Sequence, residues 1–516
     1  MLGRVETSAT PSSSEIRRNR RVAAFLVLAC GLCLFVWVHP WYDPTNDGSM
    51  YIATARSLVA GEGYTYLGES FRIRPPGFSL LLAPLIALAG TNFLAINVFV
   101  SLFGVLAIVA LFFFCAPRLG TWLALLVALV VWINPGFQRL CNQVMSDVPG
   151  IASVLLALLA ERRLQRRPLF AEGGWKRQLL FGAAVALAGH VRTSVFLLLP
   201  AILAARCLGR FTRNGEGEPW RPWVLGNVLF VLGAIALIAP WSVRNAWQAP
   251  EGPADQTRLY DYSSGMWHRD MGDPNSERLS LAEIGARFPE RAVQIGASLG
   301  SRLVRNERSA GANAWAVFFI VCTAMILVRR REAAELYVLA NLVVVAFYFG
   351  FASRLMLPCW IFALPATVEV LRGTVRIFLR PGLTDAVVAL ALVVFAVRDA
   401  HPRRGWENIE NLHRAYVSVA EEIEQRAPEG KLGAYRAWHL AAHLDRDVYG
   451  FEQVQRRAGE PNACEEIIDK YGVETVVLLP LGLPSLLLPE YTRLETYLEN
   501  RYGAVPGPLK LVRVRP

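Results

Sequence analysis

Apolar runs separated by short polar connectors recur along most of the chain. Runs at Val22–Val38, Phe93–Phe114, Trp122–Ile133, Val148–Ala160, Trp223–Trp241, Ala314–Val328, Leu336–Phe351, Leu355–Leu371 and Leu383–Val397 each predict a membrane helix. Leu179–Leu208 is too short for two full helices, yet both of its flanks are basic; it predicts a hairpin of shortened helices with its turn near Gly189, His190 and Arg192. Gly77–Gly90 is apolar but short, with Pro84 in its middle, and reads as re-entrant or interfacial. The sum is about eleven spans. Beyond about residue 401 the pattern changes. Lys431–Tyr435, Glu474–Leu479 and Lys510–Val514 alternate as strands do, while Ala437–Leu444, Glu465–Tyr471 and Tyr491–Arg501 read as helices, with Asn462 and Glu465 at capping-box spacing. A polytopic α-helical membrane domain (22–400) followed by a small α/β domain (401–516) is expected.

Composition agrees: 54% of the 516 residues are hydrophobic and only 18% charged, where a soluble domain carries about a quarter. The net charge of +11 does not point to nucleic acid, because the arginines cluster between apolar runs and so report topology. Residues 1–21 form a basic tail ending in Arg17, Arg18, Arg20 and Arg21; the span after it, flanked by Trp37, Trp41 and Tyr42 and with no cleavage site, reads as an uncleaved signal anchor. If Gly77–Gly90 does not cross, ERRLQRR near 161–167, Arg206 to Arg221, Arg329–Arg331 and Arg372 to Arg380 all join that tail on the cytoplasmic face. The loops 39–92, 134–147 and 242–313 and the C-terminal domain then lie outside. Six of the eight cysteines sit in or beside apolar spans, and no Cys/His cluster has zinc spacing. Cys141 and Cys464 are a candidate pair only because both fall on outer stretches.

The longest connector after the first span, DPTNDGSMYIATARSLVAGEGYTYLGESFRIRPPGF (Asp43–Phe78), carries the candidate chemistry. A helical core from about Asp47 to Leu58 puts Met50, Tyr51, Thr54 and Leu58 on one face, which would suit the membrane surface. Asp47 here and Asp147 in MSDVP are carboxylates beside apolar spans, an expensive placement that is often functional; each could instead cap the helix it opens. Arg72 and Arg74 precede a stiff Pro-Pro-Gly turn, Arg192 lies within an apolar hairpin, and Arg354 lies between two spans. Snorkelling to headgroups is the plain alternative for each, and for Arg244 in PWSVRN. Together they would line an outward cavity with Tyr51, Tyr64 and His190 on its walls, suited to phosphate recognition with a carboxylate base. His190 reads as a packed histidine rather than a catalyst.

DGSMY, ARSLVAGEGY, RPPGFSLLLAPL, MSDVP, PWSVRN and SRLMLP resemble landmarks of the GT-C membrane glycosyltransferases, in particular bacterial relatives of the dolichyl-phosphate-mannose protein mannosyltransferases and the lipid A aminoarabinose transferases. The resemblance covers about residues 22–400 and is most specific in the first half. It implies an inverting transferase of the bacterial cytoplasmic membrane. Such an enzyme moves a sugar from a polyprenyl-phosphate carrier to a lipid, glycan or protein acceptor on the outer face. By position it implies Asp47 as the catalytic aspartate, Asp147 as the second acidic residue, and Arg72 or Arg74 on the lipid phosphate. Many relatives carry Asp-Glu at the first site; Gly48 here weakens any metal claim, so a divalent cation is left as the one open cofactor. A transporter or flippase for a lipid-linked intermediate, or a noncatalytic assembly subunit, would share the basic cavity. Against the transporter, the two halves show no internal symmetry.

Overall fold

The computed structural model describes residues 12–165, 169, 173–212, 219–248, 266–269, 276–300, 310–348, 353–399, 406–434, 437–444, 446–451, 463–478, 501 and 510–514. The sequence helix at 491–501 except for Arg501, the Asn462 cap, nearly half of the 246–313 loop and the Cys464 side chain fall outside them; Cys141 is a buried free thiol.

The chain begins with α1 (Ser13–Trp37), α2 (Asn46–Val59), a two-residue hairpin of β1 (Thr65–Tyr66) and β2 (Glu69–Ser70), and α3 (Gly77–Ala89). It continues through α4 (Phe93–Leu119), α5 (Thr121–Ile133), α6 (Pro135–Cys141), α7 (Asp147–Leu164) and α8 (Gly174–Val191). A 3-10 turn at Thr193–Leu197 leads into α9 (Leu198–Thr212), and α10 (Trp220–Trp247) follows. After α11 (Leu281–Ala286) and α12 (Phe288–Gly300) come α13 (Ala310–Arg330), α14 (Ala333–Phe347), α15 (Met356–Val375) and α16 (Pro381–Asp399). Six helical stretches among the described residues are long and apolar enough to cross a membrane, or seven if α5 and α6, bent by 66° at Asn134–Pro135, form one span. The sequence count of about eleven is larger because it admits runs such as those of α7, α8, α14 and α16, which are shorter or carry charge.

The bundle has two distinct ends. At one, Arg118 closing α4 pairs with Glu335 (2.7 Å) and Glu332 (2.8 Å), Arg162 closing α7 pairs with Glu332 (2.7 Å), Arg206 with Glu161 (2.7 Å) and Arg330 with Glu369 (2.8 Å). Arg18 of α1 donates to Thr121 at the start of α5. Arg118 and Glu335 are buried, where an unpaired charge would be costly, so this network fixes how the helix ends meet. α7 has 18 residues, so its other end, at Asp147, lies about 27 Å away at 1.5 Å per residue.

α3 does not run between these ends. It starts at Gly77, packed on the backbone of His190 and Val191 where α8 stops, and finishes beside Thr91, which meets Arg56 of α2 and, through it, the C-terminal unit. Both of its ends stay at the Asp147 end of the bundle. α8 and α10 approach closely through Gly182 and Gly233, where an added Cβ would lie 1.8 Å from the Phe230 carbonyl oxygen and 1.9 Å from that of Leu179. Small residues at such crossings let backbones meet.

The C-terminal unit contains α17 (Trp406–Arg426), β3 (Leu432–Ala434), α18 (Ala437–Ala441), β4 (Val448–Gly450), α19 (Ala463–Tyr471), β5 (Thr475–Leu478) and β6 (Lys510–Arg513). The sheet order is β4-β3-β5-β6, parallel except for β6. This unit shares a core with the first loop. Met50, Tyr64, Tyr66, Leu67, Phe71 and Ile73 pack with Tyr449, Phe451, Ile467, Ile468, Val476 and Val512. The expectation that Met50, Tyr51, Thr54 and Leu58 lie on the membrane surface is therefore corrected. Met50, Tyr51 and Thr54 are buried, and Leu58 is partly so, because the C-terminal unit and α3 cover that face of α2.

The α8–α10 crossing gives a direct stability test. Gly182→Val and Gly233→Val are each expected to destabilise by at least the ~1–3 kcal/mol of ordinary overpacking, since backbone rather than a movable side chain must yield. A lowered Tm of the detergent-solubilised protein, with Gly209→Val unchanged because no atom lies within 4 Å of a Cβ there, is the measurement.

Candidate functional site

Thr45 caps α2, its hydroxyl accepting from Gly48 N at 3.0 Å. Asp47 is thus released from capping. Its carboxylate lies between two guanidinium groups, with Oδ1 2.9 Å from Arg74 Nη2 and Oδ2 2.6 Å from Arg354 Nη2. Burial alone would push the Asp47 carboxyl up; Arg74 and Arg354 overcome it and hold the group well below the usual carboxylate range. Arg354, on the 3-10 turn Ser353–Leu355 before α15, is shifted up: burial opposes the charge, but Asp147 and Asp47 outweigh it.

Asp147 does not act as a cap either. It sits in the first turn of α7, after Ser146, and is fully buried with its Oδ2 2.7 Å from Arg192 Nη1. Arg192 is extended (φ −146°) where α8 breaks, and its side chain crosses Gly150, at which an added Cβ would lie 2.6 Å from Arg192 Cδ. Tyr51 of α2 meets Ser146 hydroxyl to hydroxyl at 3.1 Å, and Met145 places its sulfur 3.3 Å from Arg354 Nη1. The two acidic loops are therefore one site: two carboxylates and three guanidinium groups brought from five separate segments.

Arg74 is aimed by its own loop. Tyr64 donates its hydroxyl to the carbonyls of Arg74 (3.1 Å) and Pro75 (3.3 Å). Leu67 and Gly68 both have positive φ, as a two-residue hairpin turn demands; burial of Leu67 in the shared core offsets the strain of that backbone. Arg72 does not join Arg74. The chain bends at Ile73 and Arg74 instead of staying extended, so the side chains diverge and Arg72 donates to the carbonyl of Asn245 at 3.2 Å. Arg244 beside it donates to the carbonyls of Phe71 and Tyr64, both at 2.9 Å, and stacks on Trp241. PWSVRN is thus the brace of the first loop, not a headgroup anchor. His190 bonds the Leu237 carbonyl (3.1 Å) and packs edge-on to Phe196 and Trp241, a packed histidine.

The donor set does not suit a metal ion. Asp47 already faces two cations, and a side chain at 48 would meet Thr45 Oγ1 at 2.6 Å and the Val144 carbonyl oxygen at 2.8 Å, so a second acid has no room there. A buried carboxylate and a partly buried one beside three arginines have the chemistry to receive an anion. Sequence reasoning missed Tyr64's grip on the Arg74 turn, Met145, Ser146 and the bracing role of Arg244. Only PWSVRN gave any signal, since the others depend on which loops meet.

Residues 73–243 match the family model of dolichyl-phosphate-mannose-protein mannosyltransferase. No curated protein matches the chain. The structure is similar to that of ArnT from Cupriavidus metallidurans in the apo state, at 14% identity and a TM-score of 0.61 over 96% of this chain and 98% of that one. It is similar also to the same protein bound to undecaprenyl phosphate, at 16% identity and a TM-score of 0.56 over 97% and 98%. The apo oligosaccharyltransferase of Archaeoglobus fulgidus matches at 12% identity and a TM-score of 0.57 over 90% of this chain and 70% of that one. Over nearly its whole length the chain shares its fold with ArnT of Cupriavidus metallidurans and with the oligosaccharyltransferase of Archaeoglobus fulgidus.

Proposed function

We propose that the protein is an inverting glycosyltransferase of the bacterial cytoplasmic membrane. It moves a sugar from a polyprenyl-phosphate carrier to a lipid, glycan or protein acceptor on the outer face, with the N-terminus inside and the C-terminal unit outside. The observation that carries this reading is Asp47 held between Arg74 and Arg354 at the end of the bundle opposite the arginine-rich connectors. The positive-inside rule puts those connectors in the cytoplasm and the site outside. Of the solved relatives, ArnT has been seen with undecaprenyl phosphate, a carrier of the proposed class. The five charged side chains leave one positive charge, which a sugar-linked phosphodiester, a monoanion, would neutralise.

In this reading the donor phosphate takes guanidinium N–H groups of Arg74 and Arg354 from Asp47. With its cations engaged elsewhere the Asp47 carboxylate becomes more basic and accepts the proton of the acceptor O–H or N–H. The freed acceptor atom attacks the anomeric carbon, the bond from that carbon to the phosphate oxygen breaks, and polyprenyl phosphate leaves with one further negative charge, held by the arginines. Asp147 fixes Arg192 and adds to the field on Arg354. Tyr51 and Tyr64 are structural walls of the site, and Arg72 braces the loop from outside it.

Transfer from undecaprenyl-phosphate mannose and undecaprenyl-phosphate aminoarabinose by the purified protein tests the reading. Asp47→Asn is expected to lower kcat by about 10²–10⁴-fold, the range for loss of a general base. Near-wild-type transfer by Asp47→Asn would remove Asp47 from that role.

Arg74→Ala is expected to lower kcat/KM at least about tenfold, since each charge-assisted bond is worth roughly 1.5–3 kcal/mol. Arg74→Lys should restore only part, lacking the planar fork, whereas Arg72→Ala should act mainly on Tm.

The pH dependence has a defined sign. Pairing lowers the folded-state pKa of Asp47 below its unfolded value of about 4. Its stabilisation is therefore present above that value and is lost as the pH falls through the lower folded one. The acid limb of kcat/KM, which reports the free enzyme, should lie below the ordinary carboxylate range and move to higher pH in Arg354→Ala, where one cation is gone.

A further inference from the structure

Helix α2 carries Asp47 in its first turn and, nine residues on, Arg56. At 1.5 Å per residue the two are about 13 Å apart along the axis. Arg56 takes no part in the arginine–aspartate cluster. Its Nε and Nη2 donate to Thr91 Oγ1 at 3.0 and 2.8 Å, joining α2 to the end of α3. Its Nη1 donates to the carbonyls of Ala441 (2.9 Å) and Leu444 (2.7 Å), and Nη2 reaches that of Ala442 (3.4 Å). These carbonyls lie at and just beyond the C-terminal end of α18, where a helix leaves its last acceptors without partners of its own, and an arginine there is a favourable cap. One guanidinium therefore ties the catalytic helix, the re-entrant helix and the C-terminal unit together.

A second contact between the same parts is independent of Arg56. Met50 of α2, and Tyr64, Phe71 and Ile73 of the loop that ends in Arg74, are buried in one core with the sheet of the C-terminal unit. Nearby, Tyr42 and Phe93 pack against the ring of His443. The C-terminal unit thus bears on both arms of the Asp47–Arg74 pair: on the helix of the aspartate through Arg56 and Met50, and on the segment of the arginine through Phe71 and Ile73. A detachable cover would touch the rim only, and would not share a core with the residues that aim the site.

We propose that the C-terminal α/β unit is a positioning part of the site, and that Arg56 is the positioning residue through which it holds α2, and with it Asp47, in register with Arg74 and Arg354. This rests on the reading of Asp47 as the base of the transfer reaction. Displacement of about 1 Å in a reacting group can cost about 10²-fold in rate, so a loosened α2 has a large kinetic effect with little effect on carrier binding.

The test uses the full-length protein in lipid nanodiscs, with undecaprenyl phosphate as the binding probe and undecaprenyl-phosphate mannose and aminoarabinose as donors. Arg56→Gln is expected to lower kcat about 10- to 100-fold, to leave donor KM and undecaprenyl phosphate binding within about threefold, and to speed amide hydrogen exchange in residues 46–55. Arg56→Lys, which can reach one of the carbonyls, is expected to recover part of kcat. Thr91→Val removes one acceptor only and keeps the test alive if Arg56→Gln does not fold; it should lower kcat about two- to fivefold with the same KM. A folded Arg56→Gln protein with kcat within twofold of wild type, or with exchange in 46–55 unchanged, overturns the proposal, as does a loss of kcat that merely tracks the loss of folded protein. If the wild type transfers from no donor, the glycosyltransferase reading fails on its own. The exchange measurement then decides separately whether Arg56 couples the C-terminal unit to α2.

Discussion

An aspartate held between two arginines in a part-buried site is a poor way to stabilise a fold. Removing such charges from water usually costs as much as their attraction returns, and apolar side chains of similar size would do as well. The arrangement around Asp47 is also assembled from distant parts: the start of α2, the turn before α3 and the turn before α15. Much of the surrounding structure exists to keep those parts together. Tyr64 holds the Arg74 backbone, Arg244 holds the loop behind it, and Gly77 lets the Pro-Pro-Gly turn settle on the broken end of α8. That break in turn is where Arg192 leaves for Asp147. Charges that cost the fold something and are aimed so closely are better explained by an anionic ligand than by stability.

The far end of the bundle performs the complementary task. The paired charges at the ends of α4 and α7 and the start of α14 bond to one another, with Arg118 and Glu335 buried against each other. Arg162 and Arg118 also lie over the Phe114 ring, each guanidinium within 4.5 Å of its centroid. Helices pinned there cannot slide independently, so the register of Asp147 relative to α4 and α14 is set about 27 Å from where it is used. The residues that made the topology readable as arginine-rich connectors are thus structural clamps as well.

How much of this was legible in the sequence depended on the range of the interaction. The apolar spans, the helix opening at Asp47, the break at Arg192 and the strands near 432, 475 and 510 follow from local periodicity and were readable. β1 and β2 were not, because two residues leave no alternation to detect, and the turn places Leu67 in a backbone region that leucine rarely adopts. The apolar positions of α17 are spaced for a helix, although the expectation of an α/β unit at 401–516 does not single it out. β4, three residues long, gave no signal. Arg72 and Arg74 looked equivalent because i and i+2 share a face on an extended chain; burial of Phe71 and Ile73 under the C-terminal sheet bends the segment and separates them. That a domain some 380 residues later shares a core with this loop has no local trace.

Gly48 ties these points together. By sequence it looks like a missing acid; in space it is where the first loop touches the second. The first turn of α2 passes so close to the loop before α7 that a Cβ would fall within 2.8 Å of the Val144 carbonyl oxygen and within 3.2 Å of the Tyr42 hydroxyl. Tyr42 in turn bonds Ser49 at 2.7 Å, and Tyr51 one turn further along meets Ser146. Any side chain at 48 would wedge α2 away from the loop that carries Asp147, and Arg354, which holds Asp47 at 2.6 Å and the Met145 sulfur at 3.3 Å, could no longer reach both. The glycine therefore exchanges a second carboxylate for close approach of the two acidic loops, and that approach lets a single arginine near the start of α15 touch both, Asp47 on one and Met145 on the other.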